Sequence, residues 1–134
     1  MTHKELLLAA IEARKFAYAP YSNHFVGAAL LSKCGKLYTG CNVENAAYSP
    51  TNCAERTAIF KAVSEGVREF SAIAIVGGVG DNLSPMCAPC GICRQVLTEF
   101  CDADLEIIMG TPDNISVSTL GDLLPLSFTK NNLN

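Results

Sequence analysis

The sequence lacks two features that would point to large or lipidic partners. No apolar run approaches the roughly 18 residues of a membrane span, and the early run Leu6 to Ile11 is broken by Glu12 without a cleavage pattern. Clustered basic residues are also missing, because 10 Lys and Arg stand against 13 Asp and Glu, a formal net charge of −3. Binding to nucleic-acid phosphates needs clustered cations. We therefore expect no membrane partner, no signal peptide and no nucleic-acid partner.

Internal repeats, linkers and low-complexity segments are likewise absent, so residues 1–134 are predicted to form a single domain. Hydrophobic residues make up 49% of the chain, which is high for a small domain with much surface for its volume. We expect some of this apolar area to close an oligomer interface. The chain has seven cysteines. Without a secretion signal, this number suggests reduced thiols and metal binding in the cytoplasm.

The hydrophobic pattern alternates between helices and strands. Thr2 and Glu5 form a capping box for a first helix, whose apolar stripe continues to Tyr18 before Pro20 ends it. An unbroken apolar run, as expected of a strand covered on both faces, follows in Val26–Leu31. This alternation predicts helices on both faces of a mixed sheet. The other predicted strands lie at 37–42, 70–76, 105–109 and 115–117, and the other predicted helices begin at Cys53, Cys90 and Leu120.

Two short segments contain most of the chemistry. They are Cys53-Ala54-Glu55-Arg56 and Pro89-Cys90-Gly91-Ile92-Cys93-Arg94. Each stands where an irregular segment gives way to a predicted helix, so two helix N-termini would favour thiolates at one point. Three thiolates with one open position describe a catalytic zinc site, with Glu55 beside the metal as a proton carrier.

The cysteines allow two other interpretations. Cys87, Cys90 and Cys93 resemble the beginning of an iron–sulfur run, but Leu97 and Thr98 stand where the fourth Cys and a Pro are needed. A redox Cys-x-x-Cys at a helix start is also possible. Neither interpretation gives Cys53 and Glu55 a role, so zinc is favoured. The remaining thiols are predicted to be small core or surface residues: Cys34, Cys41, Cys87 and Cys101.

Three ordered blocks, Cys41–Tyr48, Cys53–Ala58 and Pro89–Leu97, resemble the small homotetrameric cytidine deaminases. The resemblance extends from about Tyr18 to Phe128. It implies a three-layer α/β/α fold around a five-stranded mixed sheet of order 2-1-3-4-5. It also implies an enzyme of pyrimidine salvage that hydrolyses cytidine and deoxycytidine to uridine and deoxyuridine plus ammonia.

The resemblance also implies residue roles. One zinc per chain would be held by Cys53, Cys90 and Cys93, and zinc-bound hydroxide would attack C4 of the base with Glu55 as the proton shuttle. Arg56 would donate hydrogen bonds to the ligand sulfurs and offset the surplus negative charge of three thiolates.

Substrate contacts follow from the same resemblance. Asn42 and Glu44, two residues apart in extended chain, would hold the ribose 3′-hydroxyl. Ala54 would also bind the substrate. Tyr48 and Phe128 match positions that the family's subunits lend to neighbouring sites of the homotetramer.

One position departs from the family pattern Pro-Tyr-Ser-x-Phe-x-Val-Gly. His24 stands where the family has a Phe that lines the base pocket. Either Phe25 turns into the pocket, or His24 takes the place of that ring. We expect His24 to fill the wall rather than to act in catalysis.

Rival functions come from two classes. An antibiotic-nucleoside deaminase has a similar zinc motif, but Asn42-Val43-Glu44-Asn45 favours an enzyme that binds ribose. A polynucleotide deaminase is disfavoured by the acidic charge. The rival outside enzymes is a structural zinc or thiol-redox module, which zinc analysis together with a cytidine assay would separate from a deaminase.

Overall fold

The computed structural model describes residues 1–133. None of the helices in this range has the length and apolar composition needed to cross a bilayer. The elements in chain order are α1 (His3–Arg14), β1 (His24–Ser32), β2 (Leu37–Cys41), α2 (Ala54–Ser64), β3 (Phe70–Val79), α3 (Gly91–Phe100), β4 (Glu106–Thr111), β5 (Asn114–Thr119), α4 (Leu120–Leu123) and a 3₁₀ helix (Lys130–Leu133).

The five strands form one mixed sheet of order β2-β1-β3-β4-β5. β3 and β4 pair in parallel, whereas β1 pairs antiparallel with both β2 and β3, and β4 pairs antiparallel with β5. The predicted strand order is therefore confirmed.

Helices cover both faces of the sheet, which confirms the three-layer architecture. On one face, α1 buries Leu6, Leu7 and Ala10 against Ala29 of β1. On the other face, α2 and α3 pack against residues that include Leu30 of β1. Successive residues of a strand point to opposite faces, so a strand with both faces covered has no polar alternation. This explains the unbroken apolar run predicted to be a buried strand.

Two glycines let the helices approach the sheet closely. A Cβ on Gly27 of β1 would lie 2.0 Å from the carbonyl oxygen of Ala10, and a Cβ on Gly40 of β2 would lie 2.5 Å from that of Ala54. Real Cβ atoms do not come this close to backbone, so α1 and α2 pack directly on glycine. The contact at Gly40 positions the first turn of α2, where Glu55 lies.

The first helix is shorter than predicted. It ends at Arg14, and the prediction that its stripe continues to Tyr18 was wrong. The side chain of Arg14 reaches across the sheet and donates hydrogen bonds to four carbonyl oxygens, those of Phe25, Gly78, Gly80 and Asn82. Arg14 interrupts the apolar stripe because it ties α1 to the ends of β1 and β3.

Candidate active site

Two helix N-termini converge on a cluster of sulfur atoms. Cys53 is the N-cap residue of α2, and Cys90 is the N-cap residue of α3. Their Sγ atoms lie 3.7 Å apart, and the backbone N–H of Cys93 points at the Sγ of Cys90 at 3.5 Å. The predicted placement of these cysteines at helix starts is thus confirmed. The positive ends of both helices favour thiolates at this point.

The three sulfurs suit zinc. The Sγ atoms of Cys53, Cys90 and Cys93 all lie within 4.8 Å of one another. In a tetrahedral site with Zn–S bonds of about 2.3 Å, two sulfurs are about 3.8 Å apart, close to the separation of Cys53 and Cys90. Thiolates are soft ligands that zinc accepts readily. A set of three protein ligands leaves a fourth position open, which is the arrangement of catalytic rather than structural zinc sites.

Hydrogen bonds set the charge of the cluster. Bonds from Cys93 and then Arg56 lower the pKa of Cys53 to about 5, against the opposing effect of burial. The same bond to Cys53, together with burial, raises the pKa of Cys93. The guanidinium Nη2 of Arg56 lies 3.2 Å from the Sγ of Cys53. Arg56 therefore places a fixed positive charge directly beside a thiolate.

Glu55 is a buried carboxyl group beside these sulfurs. The residue is only 4% exposed. Burial, with a smaller contribution from the charge of Cys53, raises the pKa of Glu55 to about 7. A carboxyl group with this pKa can take up and release a proton near neutral pH, as a general acid–base catalyst must.

A cavity of about 320 Å³ joins the sulfur cluster to polar groups at the end of β2. We call it the site cavity. Its sulfur end contains Cys53, Ala54, Glu55 and Cys90, whereas Cys93 is buried beneath it. Its other end contains Asn42 and Glu44. The remaining lining residues are Ser22, His24, Val26, Thr51, Asn52, Cys87 and Ala88.

The side-chain amide of Asn42 makes two hydrogen bonds to the backbone of β1. Its Oδ1 accepts a hydrogen bond from the backbone N–H of Val26 at 2.9 Å, and its Nδ2 donates to the carbonyl oxygen of His24 at 2.8 Å. One N–H of the amide and one lone pair of its oxygen remain for a ligand. Asn42 therefore braces β1 and can also face a substrate.

The carboxylate of Glu44 accepts hydrogen bonds from the two residues that precede Asn23. One oxygen accepts from the backbone N–H groups of Tyr21 and Ser22 at 2.9 and 3.1 Å, and the other accepts from the hydroxyl of Ser22. The bond from the Ser22 hydroxyl is the largest cause that lowers the pKa of Glu44. Glu44 is thus held ionised at the mouth of the cavity.

Tyr48 and Phe128 do not line the site cavity of their own chain. Tyr48 is 72% exposed and packs edge-to-face with Tyr21, with ring centroids 6.1 Å apart. Phe128 is 60% exposed, and its carbonyl oxygen accepts a hydrogen bond from the side chain of Gln95. Both rings are therefore displayed on the surface of the chain.

The sequence left open whether His24 or Phe25 takes the place of the family's Phe, and the structure decides between them. His24 lines the site cavity, whereas Phe25 lies in a separate cavity beside Arg14. Cys87 packs against the hydrophobic core, as predicted for a small core residue, but its position in the wall of the site cavity was missed. Ser22 was missed as well. Its position two residues before His24, like that of Cys87 three residues before Cys90, was the available signal.

Comparisons with known proteins agree with this geometry. A sequence model of the family described as "Cytidine and deoxycytidylate deaminase zinc-binding region" matches residues 1–109. The cytidine deaminase of Sporosarcina psychrophila is 48% identical, over 99% of this chain and 96% of that protein. That of Halalkalibacterium halodurans is 49% identical, over 100% and 99%. The crystal structure of cytidine deaminase from Burkholderia pseudomallei superimposes with a TM-score of 0.88 at 50% identity, covering 96% of this chain and 100% of that one.

Proposed function

This chain belongs to the cytidine and deoxycytidylate deaminase family, and we propose that it catalyses the hydrolytic deamination of cytidine to uridine and ammonia. It is a zinc-dependent enzyme of that family. We extend the proposal to deoxycytidine, which yields deoxyuridine, and to a role in pyrimidine salvage.

One observation carries the proposal. A buried carboxyl group with a pKa of about 7 shares one cavity with a cluster of three thiols that suits zinc. A structural zinc site closes with four protein ligands and needs no carboxyl group of this kind. A redox pair needs two thiols and leaves the third thiol and Glu55 without a role. Hydrolysis at an electrophilic carbon uses all of these groups.

We assign the zinc ligands to Cys53, Cys90 and Cys93. When bound, zinc supplies Lewis acidity that makes water a nucleophile near neutral pH. The guanidinium of Arg56, 3.2 Å from the Sγ of Cys53, offsets part of the charge that three thiolates bring.

Glu55 moves the protons. As a carboxylate it accepts a proton from the attacking water. As a carboxylic acid it donates that proton to N3 of the pyrimidine. It then takes up the proton of the new hydroxyl group on C4 and gives it to the departing amine, so that the carbon–nitrogen bond at C4 breaks with release of ammonia. Its position at the buried end of the cavity excludes bulk water from these transfers.

Asn42, Glu44 and Ala54 bind the nucleoside. We assign the ribose 3′-hydroxyl to the free N–H of Asn42 and to the carboxylate of Glu44, both at the end of the cavity away from the sulfurs. Ala54 lines the cavity next to Glu55 and contacts the base. These contacts would align the base so that its C4 faces the metal site formed by the three cysteines.

Elemental analysis combined with a cytidine assay tests this function. Purified protein should contain one zinc per chain and convert cytidine to uridine with release of ammonia, followed by the loss of cytidine absorbance. Zinc without turnover would support a structural zinc module instead. Iron in place of zinc would contradict the assignment of the metal.

We also propose that the chain acts as a homotetramer in which Tyr48 and Phe128 complete the sites of neighbouring subunits. The exposure of both rings supports this, as do Phe16 and Leu126, which are 81% and 105% exposed. The mass in solution tests the assembly. Mixed tetramers of Glu55→Gln and Phe128→Ala chains test the shared site. Some of their sites combine Glu55 from one chain with Phe128 from the other and so contain every wild-type group. The mixture should therefore be more active than the average of the two parent proteins. Strict averaging after confirmed subunit exchange would contradict it.

We place the enzyme in the cytoplasm. All seven cysteines are free thiols. A reducing compartment keeps such thiols available for zinc, whereas an oxidising one would convert close pairs to disulfides.

A further inference from the structure

Arg94 follows Cys93 in the first turn of α3 but has no part in the chemistry proposed above. A cation near the N-terminus of a helix is disfavoured by the helix dipole, and the first turn of α3 contains no acidic residue to offset it. Among residues 1–133, no carboxylate forms an ion pair with Arg94. Its half-buried side chain instead donates hydrogen bonds to the carbonyl oxygens of Pro89 and Leu123, both at 2.7 Å. These two bonds explain why an arginine stands at this position.

Arg94 holds the backbone on both sides of Cys90. The carbonyl group of Pro89, which is fully buried, belongs to the peptide unit before Cys90, and Nε of Arg94 donates to it. The carbonyl group of Cys90 belongs to the peptide unit after it, and the backbone N–H of Arg94 donates to this oxygen at 3.0 Å. Only φ and ψ of Cys90 lie between these two planes. One residue therefore fixes the direction in which the Cα–Cβ bond of Cys90 points.

The bond to Leu123 connects the same arginine to a distant part of the chain. Leu123 is the last residue of α4, so its carbonyl group has no partner within that helix, and Nη1 of Arg94 bonds to it. The next residue of α3, Gln95, donates from Nε2 to the carbonyl oxygen of Phe128 at 2.8 Å. Consecutive residues of α3 thus bond to both ends of residues 123–128, which we call the C-terminal segment.

The C-terminal segment has few bonds of its own. Within residues 1–133, no hydrogen bond engages Pro125, Leu126 or Ser127. Leu126 is fully exposed and has a φ of 53°, a conformation that a residue other than glycine keeps only where its surroundings hold it. A segment with so few contacts opens readily. The bonds from Arg94 and Gln95 are therefore the main polar contacts that keep Phe128 in place.

We propose that Arg94 is a positioning residue that links the zinc site of a chain to the Phe128 ring which the same chain presents to its neighbour. The inference rests on the proposed function, in which Cys90 is a zinc ligand and Phe128 completes the neighbouring site. A metal ion that restrains the Cys90 thiol also restrains Pro89 and, through the guanidinium, Leu123. Because such coupling is reciprocal, a docked C-terminal segment strengthens zinc binding as much as zinc stabilises the docked segment.

Zinc affinity tests the first half of this link. We would measure the Kd for zinc by competition with a colorimetric chelator. Loss of an outer partner of a metal ligand typically weakens metal binding, so Kd should rise by about tenfold or more in Arg94→Ala. Arg94→Lys should lie between this variant and wild type, because an ammonium group lacks the rigid fork that spans two carbonyls. The controls are Gln95→Ala and Arg68→Ala, an exposed arginine outside the site cavity, and both should stay within about threefold of wild type.

Hydrogen exchange of residues 124–129 tests the second half without any measurement of turnover. At a protein concentration that keeps the mass in solution constant, zinc should slow this exchange in wild type by about fivefold or more. In Arg94→Ala with saturating zinc, the same amides should exchange as fast as in zinc-free wild type. The amides of α1, which packs on the other face of the sheet, should exchange alike with and without zinc.

The kinetic consequence is a change in KM. With saturating zinc, Gln95→Ala and Arg94→Ala should both raise KM for cytidine by about threefold or more, because the Phe128 ring is held less firmly. In Gln95→Ala, kcat should stay within about threefold of wild type, since neither the metal ligands nor Glu55 are touched. A wild-type KM in both variants would overturn the part assigned to Phe128.

Two further outcomes would overturn the proposal. An unchanged zinc Kd in Arg94→Ala would mean that Arg94 does not position Cys90. Exchange of residues 124–129 that does not respond to zinc in wild type would exclude the link, even if Arg94→Ala did not fold. A wild type that shows the link but does not deaminate cytidine would support it and contradict the proposed function.

Discussion

At the sulfur end of the site cavity, the functional side chains bond mainly to one another and to Arg56. At the other end, which contains Asn42 and Glu44 and which we call the hydroxyl end, they bond to the backbone of β1 and of the residues before it. Cys53 has no side-chain capping bond in its helix, and its sulfur is bonded to Arg56 and to the other two cysteines. The carboxyl group of Glu55 is bonded to its own backbone and to Cys93. Asn42 and Glu44, in contrast, each bond to backbone groups near the start of β1. The sulfur end is positioned by backbone and left open to ligands. The hydroxyl end uses its side chains both to hold the fold and to meet a substrate.

This difference predicts that substitutions at the two ends fail in different ways. At the sulfur end, chemistry should be lost while the fold remains. At the hydroxyl end, stability and substrate affinity should fall together. Four predictions test the contrast, from the largest expected effect to the smallest.

Replacing Cys53 by Ser should have the largest effect. A serine hydroxyl is a poor zinc ligand at neutral pH, so the metal should be lost, and activity should fall by about 10³ or more because no nucleophile is generated. Zinc content and uridine formation measure both losses. Cys34→Ser is the matched control, since Cys34 lies outside the cavity, and it should keep zinc and activity. Full zinc in Cys53→Ser would contradict the ligand assignment.

Replacing Glu55 by Gln should separate proton transfer from metal binding. The amide keeps the shape of the carboxyl group but cannot shuttle protons. We expect kcat to fall by roughly 10²–10⁴ while zinc content and the affinity for uridine are retained. Single-turnover assays with zinc analysis measure this. Turnover near the wild-type rate would exclude Glu55 as the shuttle.

The stability of zinc-free protein should show the cost of burying Glu55. Its pKa in the folded protein is about 7, above the ordinary value. A raised pKa means that the folded state prefers the protonated form, so this contribution to stability is complete below about pH 4.5 and is lost as pH rises through 7. Glu55→Gln and wild type should therefore unfold alike near pH 4.5. At pH 8 the Gln variant should be more stable by about 3 kcal/mol.

Urea unfolding of the zinc-free proteins at both pH values measures this difference. The exposed Glu99 provides the control, because Glu99→Gln should change stability by less than about 0.5 kcal/mol at either pH. A Gln variant at position 55 that is no more stable than wild type at pH 8 would mean that the folded protein carries the Glu55 charge without cost.

The contrast between the two ends also explains what sequence reasoning could find. Cys53, Glu55, Cys90 and Cys93 were identifiable because each cluster is local in sequence and lies at a helix start. The convergence of two helix N-termini needs only the α/β layering that the hydrophobic pattern predicts. The strand order was different, since periodicity does not contain it and only the resemblance to a family supplied it.

The hydroxyl end was harder to predict because its contacts join distant segments. Nothing local to Asn42 indicates that its amide bridges residues 24 and 26 of another strand. The cavity position of Cys87 depends on the absent side chain of Gly77, ten residues earlier. The early end of α1 depends on bonds from Arg14 to β3 and the loop after it. These features follow from tertiary packing, which a reading along the chain does not include.

Replacing Asn42 by Ala should have the smallest effect and the most diagnostic pattern. It removes two hydrogen bonds with buried or half-buried partners in β1, so the free energy of unfolding should fall by about 2 kcal/mol. Because the same bonds hold His24, KM for cytidine should rise as well, while zinc content stays at one per chain. Asn82→Ala is the control, since the exposed side chain of Asn82 makes no hydrogen bond within residues 1–133 and only its backbone N–H and carbonyl groups are bonded. If Asn42→Ala raised KM without lowering stability, Asn42 would only bind substrate, and the two ends of the cavity would not differ in the way their bonds indicate.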